Sequence, residues 1–132
     1  MSASLPRLAI ERTLSQGEFD RFAKLSGDHN PIHVDPDFAA RSRFGRTVSH
    51  GVLLYSILRG LAARLVPGAR QTEQRVMFPA PTYADEPMRF EVAVTVDDGA
   101  QVTLAMSAVR LADGVETCTG EIRLLRIKEA AS

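Results

Sequence analysis

From His50 to Val66 the chain places Val52, Leu53, Leu54, Tyr55, Ile57, Leu58, Leu61, Ala62 and Leu65 in one stretch, closed by Pro67-Gly68. Ser49 reads as its N-cap, and a Pro-Gly pair is a sound helix stop. Set on a helical wheel, these side chains are apolar almost all the way round. A helix without a polar face of its own must be wrapped by other elements. Arg59 and Arg64 interrupt the run, which is also too short to span a bilayer. Whatever this chain folds into is therefore built around that helix.

The C-terminal half supplies the wrapping. Met88, Phe90, Val92, Val94 and Val96 alternate with Arg89, Glu91, Ala93 and Thr95, the period of a strand with one buried face. Asp98-Gly99 signals a hairpin, after which Val102, Leu104, Met106 and Ala108 alternate with Thr103, Ala105 and Ser107. Asp113-Gly114 turns the chain again into Cys118, Gly120, Ile122 and Leu124. Gln71–Phe78 adds a strand before the break at Pro79 and Pro81, and Leu8–Leu14 reads as the first strand. One strand, helices, then four strands in a meander describe an α+β fold, an antiparallel five-stranded sheet wrapped round a central helix. No repeat, linker or low-complexity tract divides the chain, so residues 1–132 are expected to form a single domain.

Between the first strand and the central helix the local signals are denser. Ser15 with Glu18 three residues on forms a capping box, followed by Phe19, Phe22, Ala23 and Leu25 at helical spacing. Asp35-Pro36 opens a second short helix carrying Phe38, Ala39 and Ala40, which ends near Arg41-Ser42-Arg43. Gly45–Val48 is expected to be irregular. Between the two helices lies Ser26-Gly27-Asp28-His29-Asn30-Pro31-Ile32-His33. Pro31 has no N–H and steers Asn30 out of the helical region, so this segment is expected to be a tight loop rather than a plain helix. Such a loop can bend Asp28 and His33 toward one point, where a shared water or a substrate proton could sit.

Composition narrows the chemistry further. Lys+Arg and Asp+Glu both number 16, a formal net charge of +0. A nucleic-acid or anionic-membrane surface would show as a basic excess, so neither partner is expected. The single cysteine, Cys118, excludes an intrachain disulfide and a Cys-rich metal site, and mid-strand it reads as a small core hydrophobe. Asp28, His29 and His33 crowd too closely in one turn for good metal geometry, so no metal is expected. Met1-Ser2-Ala3-Ser4 leads into mixed sequence without an apolar leader, so a cytoplasmic location is expected.

The residues Phe22, Ser26-Gly27-Asp28, Asn30-Pro31-Ile32-His33 and Ala39, together with the Ser49-His50-Gly51 helix start, resemble the signature of the MaoC-like (R)-specific enoyl-CoA hydratases, or hydratase 2. These are hot-dog-fold enzymes, usually homodimers, and the resemblance covers nearly the whole chain. It implies a central helix in a curled sheet, with a helical overhang segment carrying the active-site loop. It also implies that Asp28 and His33 activate one water for addition across the α,β-double bond of an acyl thioester. Gly51 matches the oxyanion position, where a helix N-terminal N–H meets the thioester oxygen, and Asn30 orients the loop or the acid. The substrate would be an acyl-CoA or acyl-carrier-protein thioester, with no cofactor besides the coenzyme A that carries it.

At Arg59 better-known members carry a serine, and a full positive charge there changes the pocket. Gly51, Tyr55 and Arg59 fall along one stripe of the helix, which puts Tyr55 and Arg59 toward the acyl tail. A guanidinium in so apolar a helix needs a partner. That partner is a protein carboxylate such as Asp28, a carboxylate on the substrate, or solvent at a dimer surface. His29 is expected to be solvated, His50 to pack at the helix start, and Arg64, Arg70 and Arg75 to be solvated charge. Two other functions fit a hot dog: a thioesterase, and a non-catalytic or accessory subunit of a dehydratase. Thioesterases of this fold usually place their acid on the central helix, where this chain has neither Asp nor Glu between His50 and Val66.

Overall fold

Alternating strands and one long apolar helix condense as the sequence demands. The computed structural model describes residues 5–127; Met1–Ser4, with the expectation about a leader, lie outside them. The elements are β1 (Arg7–Thr13), α1 (Gln16–Ser26), α2 (Pro31–Val34), α3 (Pro36–Ala40), α4 (Gly51–Leu65), β2 (Arg70–Met77), β3 (Pro87–Asp97), β4 (Gln101–Arg110) and β5 (Glu116–Leu125). The strands form one antiparallel sheet in the order β1-β3-β4-β5-β2. This is the α+β hot-dog arrangement, with α1–α3 as the overhang between β1 and α4.

Only three of the four C-terminal strands form a meander. β3, β4 and β5 follow one another, but β2 lies at the far edge against β5, with Val76 opposite Gly120. The reason is occupancy. β1 already takes the free edge of β3, Leu8 opposite Val92, so β2 is left with the edge of β5. A Cβ on Gly120 would run into the Arg75 carbonyl oxygen, so that close pairing requires a glycine.

α4 lies across the concave face of the sheet. Leu54, Leu58, Leu61 and Ala62 pack on Met88, Phe90, Val92, Leu104, Met106, Ile122 and Leu124, all buried. Cys118 is buried there too, and burial pushes its thiol up to about 11. The expected wrapping is only half realised, because a single curled sheet covers one side of a helix. The opposite face of α4 stays open: Val52 is 59% exposed, and Ser56, Gly60 and Ala63 are exposed with it. Val96 is also exposed rather than buried, because a bulge after Val94 shifts the register of β3.

Two local readings change. The 27–33 segment is not wholly loop, since Pro31 starts the one-turn helix α2. Proline restricts the residue before it, yet its own φ suits a first helical position. Asn30 accordingly caps α2, its side-chain oxygen accepting from the Ile32 N–H at 3.1 Å. Ser49 is not the cap of α4; that position belongs to His50, which makes no side-chain capping bond. The Ser49 hydroxyl instead donates to the His50 carbonyl at 3.0 Å, and its N–H donates to the Thr82 carbonyl.

Candidate active site

The site is assembled by the ends of short elements. The capping box at the start of α1 forms as expected, the Ser15 hydroxyl accepting from the Glu18 N–H and the Glu18 carboxylate from the Ser15 N–H. α1 ends at Gly27, whose left-handed backbone (φ 81°) turns the chain sharply. The Ser26 hydroxyl, donating to the Phe22 carbonyl, accepts from the Asp28 N–H at 3.2 Å. Asn30 donates its backbone N–H to Asp28 Oδ1 at 3.2 Å. That fixes one carboxylate oxygen and leaves Oδ2 free.

α2 then brings His33 back to the acid. The Gln16 side chain, at the start of α1, donates to the His33 carbonyl at 2.8 Å and accepts from the buried Thr47 hydroxyl. The Val48 N–H donates to the Ile32 carbonyl. His33 Nδ1 lies 2.8 Å from the Val48 carbonyl oxygen. A carbonyl can only accept, so Nδ1 carries the proton and Nε2 is left to exchange one. Nε2 sits 3.7 Å from Asp28 Oδ2. With the ring neutral, these are two acceptors facing each other across a gap that one water can bridge.

His50 was read as a packing residue, and the structure gives it more than that. The ring is 3% exposed and stacks on His33, with centroids 3.9 Å apart and planes 25° apart. Phe22 packs on it as well, with ring centroids 4.9 Å apart and planes at 61°. His50 Nε2 lies 2.9 Å from the Asp28 carbonyl oxygen, so that nitrogen is the donor, while Nδ1 is buried without a partner. Burial holds the imidazole below its ordinary 6.5, and neighbouring His33 acts in the same direction, against the opposing pull of the bond to Asp28. No motif spacing could show this contact, because its acceptor is a backbone carbonyl placed by the loop.

The arrangement favours proton transfer over metal binding. Asp28, His33 and His50, and not the sequence neighbours Asp28, His29 and His33, hold their ligand atoms within 4.8 Å of one another. However, stacked rings send their lone pairs out side by side instead of converging on one ion. His29 is exposed, as expected.

The remaining candidates lie along α4. Gly51 is its first residue, so its N–H is among those a helix leaves without an internal acceptor. A Cβ there would come within 2.9 Å of the Phe78 ring, so the glycine makes room for Phe78 as well as for a ligand. Gly51 opens on a cavity of about 290 Å³ lined by Leu54, Phe78, Arg43 and the hydroxyl residues Ser49, Thr82 and Thr117. Tyr55 and Arg59 do not line it. The Tyr55 hydroxyl donates to Gln71 of β2 at 3.0 Å. Arg59 is half-buried, and among the described residues it makes no ion pair or hydrogen bond. Asp28 pairs with His33 instead.

Comparison with known proteins bears on this geometry. Residues 4–117 match the model of the MaoC like domain. An (R)-specific enoyl-CoA hydratase of Aeromonas caviae is 36% identical over 88 residues, 65% of this chain and 66% of that protein. A 3-hydroxybutyryl-CoA dehydratase of Methylorubrum extorquens is 26% identical over 98 residues, 74% of this chain and 56% of its own. The matches thus span no more than about two thirds of these relatives. The solved (R)-hydratase from A. caviae superposes with a TM-score of 0.86 at 29% identity, covering 96% of this chain and 98% of that one.

Proposed function

The chain belongs to the MaoC-like domain family, and from that premise we propose that it is a hydro-lyase. It adds water reversibly to a trans-2-enoyl thioester, giving the (3R)-hydroxyacyl thioester, or runs the reverse dehydration. The observation that carries this reading is the 3.7 Å gap between Asp28 Oδ2 and His33 Nε2, with the other nitrogen of His33 committed to a carbonyl.

In the hydration direction Asp28 accepts a proton from the water as its oxygen bonds to C3. The imidazolium of His33 gives its Nε2 proton to C2. Both groups work from one side of the double bond, so the addition is syn, and proton exchange with solvent resets the pair. Negative charge developing on the thioester oxygen meets the Gly51 N–H and the positive end of the α4 dipole. Asn30 orients the acid through its backbone N–H. These groups complete the proton balance, so no cofactor is required. Coenzyme A or a carrier protein enters as the handle of the substrate.

A homodimer belongs to this reading, supported by the open face of α4 and by the two unpaired sheet edges that β1 and β2 leave. We place the protein in the cytoplasm; no helix among the described residues is long and apolar enough to cross a membrane. Crotonyl-CoA is the direct test: its enoyl-thioester absorbance should fall on addition of the protein, with the (3R) product formed. Release of free thiol instead would assign a thioesterase, against which the absence of Asp and Glu from α4 already argues. Neither signal would assign an accessory subunit.

A further inference from the structure

We propose that His50 is a positioning residue of this site, a strut that ties the backbone of Asp28 to the face of His33 and so sets the spacing of the pair. The inference rests on the hydration reading for its kinetic consequence, though not for its geometry. Asp28 needs such a tie. It lies in an exposed loop, Gly27–Asn30, and its anchored carboxylate oxygen is held by Asn30 of that same loop. Its N–H is tied to the Ser26 hydroxyl at the end of α1, so neither bond reaches the central helix. The Nε2–H of His50 fastens the loop from outside, through the Asp28 carbonyl at 2.9 Å, to the first turn of the longest helix.

His33 needs the other half of the strut. Its Nδ1 is held to the Val48 carbonyl at 2.8 Å. One hydrogen bond fixes a ring along its axis and leaves it free to rock about that axis. The face of His50, 3.9 Å away and within 25° of parallel, blocks the rocking. The strut is itself packed against Phe22 and almost wholly buried. Two restraints, a hydrogen bond and a ring contact, thus act on the pair through one side chain.

This dual role explains why neither a phenyl ring nor an amide would serve. Phenylalanine offers the face without the donor, and glutamine offers a donor without the face. The unpartnered Nδ1 matters too, since protonating it would bury an N–H without an acceptor beside the His33 ring. The titratable groups facing His50 are His33 from α2 and Asp28 and His29 from the loop. His50 thus keeps its proton on Nε2, against the Asp28 carbonyl.

The test uses the full chain with His50→Phe and His50→Gln. Nitrogen-15 NMR of the imidazoles should show native His50 protonated at Nε2 and bare at Nδ1 through neutral pH, and the His33 signals should shift in both variants. Sub-ångström displacement of the pair should cost His50→Phe about tenfold to a hundredfold in kcat on crotonyl-CoA, with KM within about threefold. The pH profile of kcat should move with it, a readout that looser packing alone leaves in place. His50→Gln should recover part of the loss by restoring the donor. A Phe variant within about twofold of native kcat would overturn the proposal, as would loss confined to KM or a native His50 protonated at Nδ1. If the Phe variant fails to fold, the Gln variant and the native tautomer decide. Native protein inactive on crotonyl-CoA but with the expected tautomer and His33 shifts would sink the hydration reading and leave the strut standing.

Discussion

At the scale of single residues, the proposed reaction rests on two side chains whose environments differ. Asp28 keeps a half-exposed carboxylate with one oxygen pinned, while His33 is mostly covered with one nitrogen pinned. Each therefore has one atom free, and the free atoms face each other. Asp28→Asn and His33→Ala should each lower crotonyl-CoA turnover by about two orders of magnitude or more, the scale of a lost acid–base group. Circular dichroism should be unchanged, and near-native turnover in either variant would refute the assignment. His50 adds a linkage prediction. Its pKa is depressed by folding, so the unfolded chain binds a proton more readily than the folded one below about 6.5. Its contribution to stability is complete above that value and is lost as pH falls toward the folded pKa. Denaturant titrations of the native protein and His50→Phe should diverge less at acid pH than at neutral pH. A difference independent of pH would contradict the depressed imidazole.

At the scale of elements, stretches whose signals are local were readable, and those that depend on distant partners were not. Ser15 and Glu18 lie within one turn, and their capping box forms as the sequence implies. Ser15→Ala should cost about 1 kcal/mol and lower Tm by roughly 4 °C, measured by thermal unfolding. Because α1 delivers Gly27 and Asp28, the same change should also reduce turnover; an unchanged Tm would show that the cap is dispensable. Asp35 caps α3 as read, and Asp98-Gly99 closes its hairpin. Ser49 was misjudged because its N–H is taken by Thr82, which is 33 positions away in sequence. β2 was misplaced for a similar reason. The sequence marks Gln71–Phe78 as a strand before the Pro79 and Pro81 break, yet its neighbour is decided by which sheet edge β1 has left open. The site divides along the same line. Asp28 and His33 share one short segment and were legible, whereas the carbonyls of Val48 and Asp28 that orient His33 and His50 have no side-chain signal.

At the scale of the molecule, one chain leaves two demands unmet, the open face of α4 and the unpaired Arg59 that lies on the same helix. The proposed second copy would lie against that open face, and edge-to-edge joining of the two sheets would also remove an exposed edge. Sedimentation should therefore show a dimer at micromolar concentration, and a monomer there would contradict it. Arg59 bears on what the assembled site accepts. It lies two turns beyond Gly51 on α4, and no carboxylate among the described residues pairs with it. Leaving a half-buried guanidinium unpaired is unfavourable, whereas a carboxylate at the end of a short acyl chain would meet it with two charge-assisted bonds. The native protein should accordingly favour a carboxylated enoyl-CoA over a C8 enoyl-CoA, with crotonyl-CoA between them. Arg59→Ser removes the charge and opens volume, so that order should reverse in favour of the C8 chain. Equal native rates on the C8 and carboxylated substrates would refute the idea, and so would a serine variant with unchanged preferences. If instead Arg59→Ser shifts the dimer toward monomer with the substrate order intact, the partner of Arg59 is the second copy and not the acyl chain.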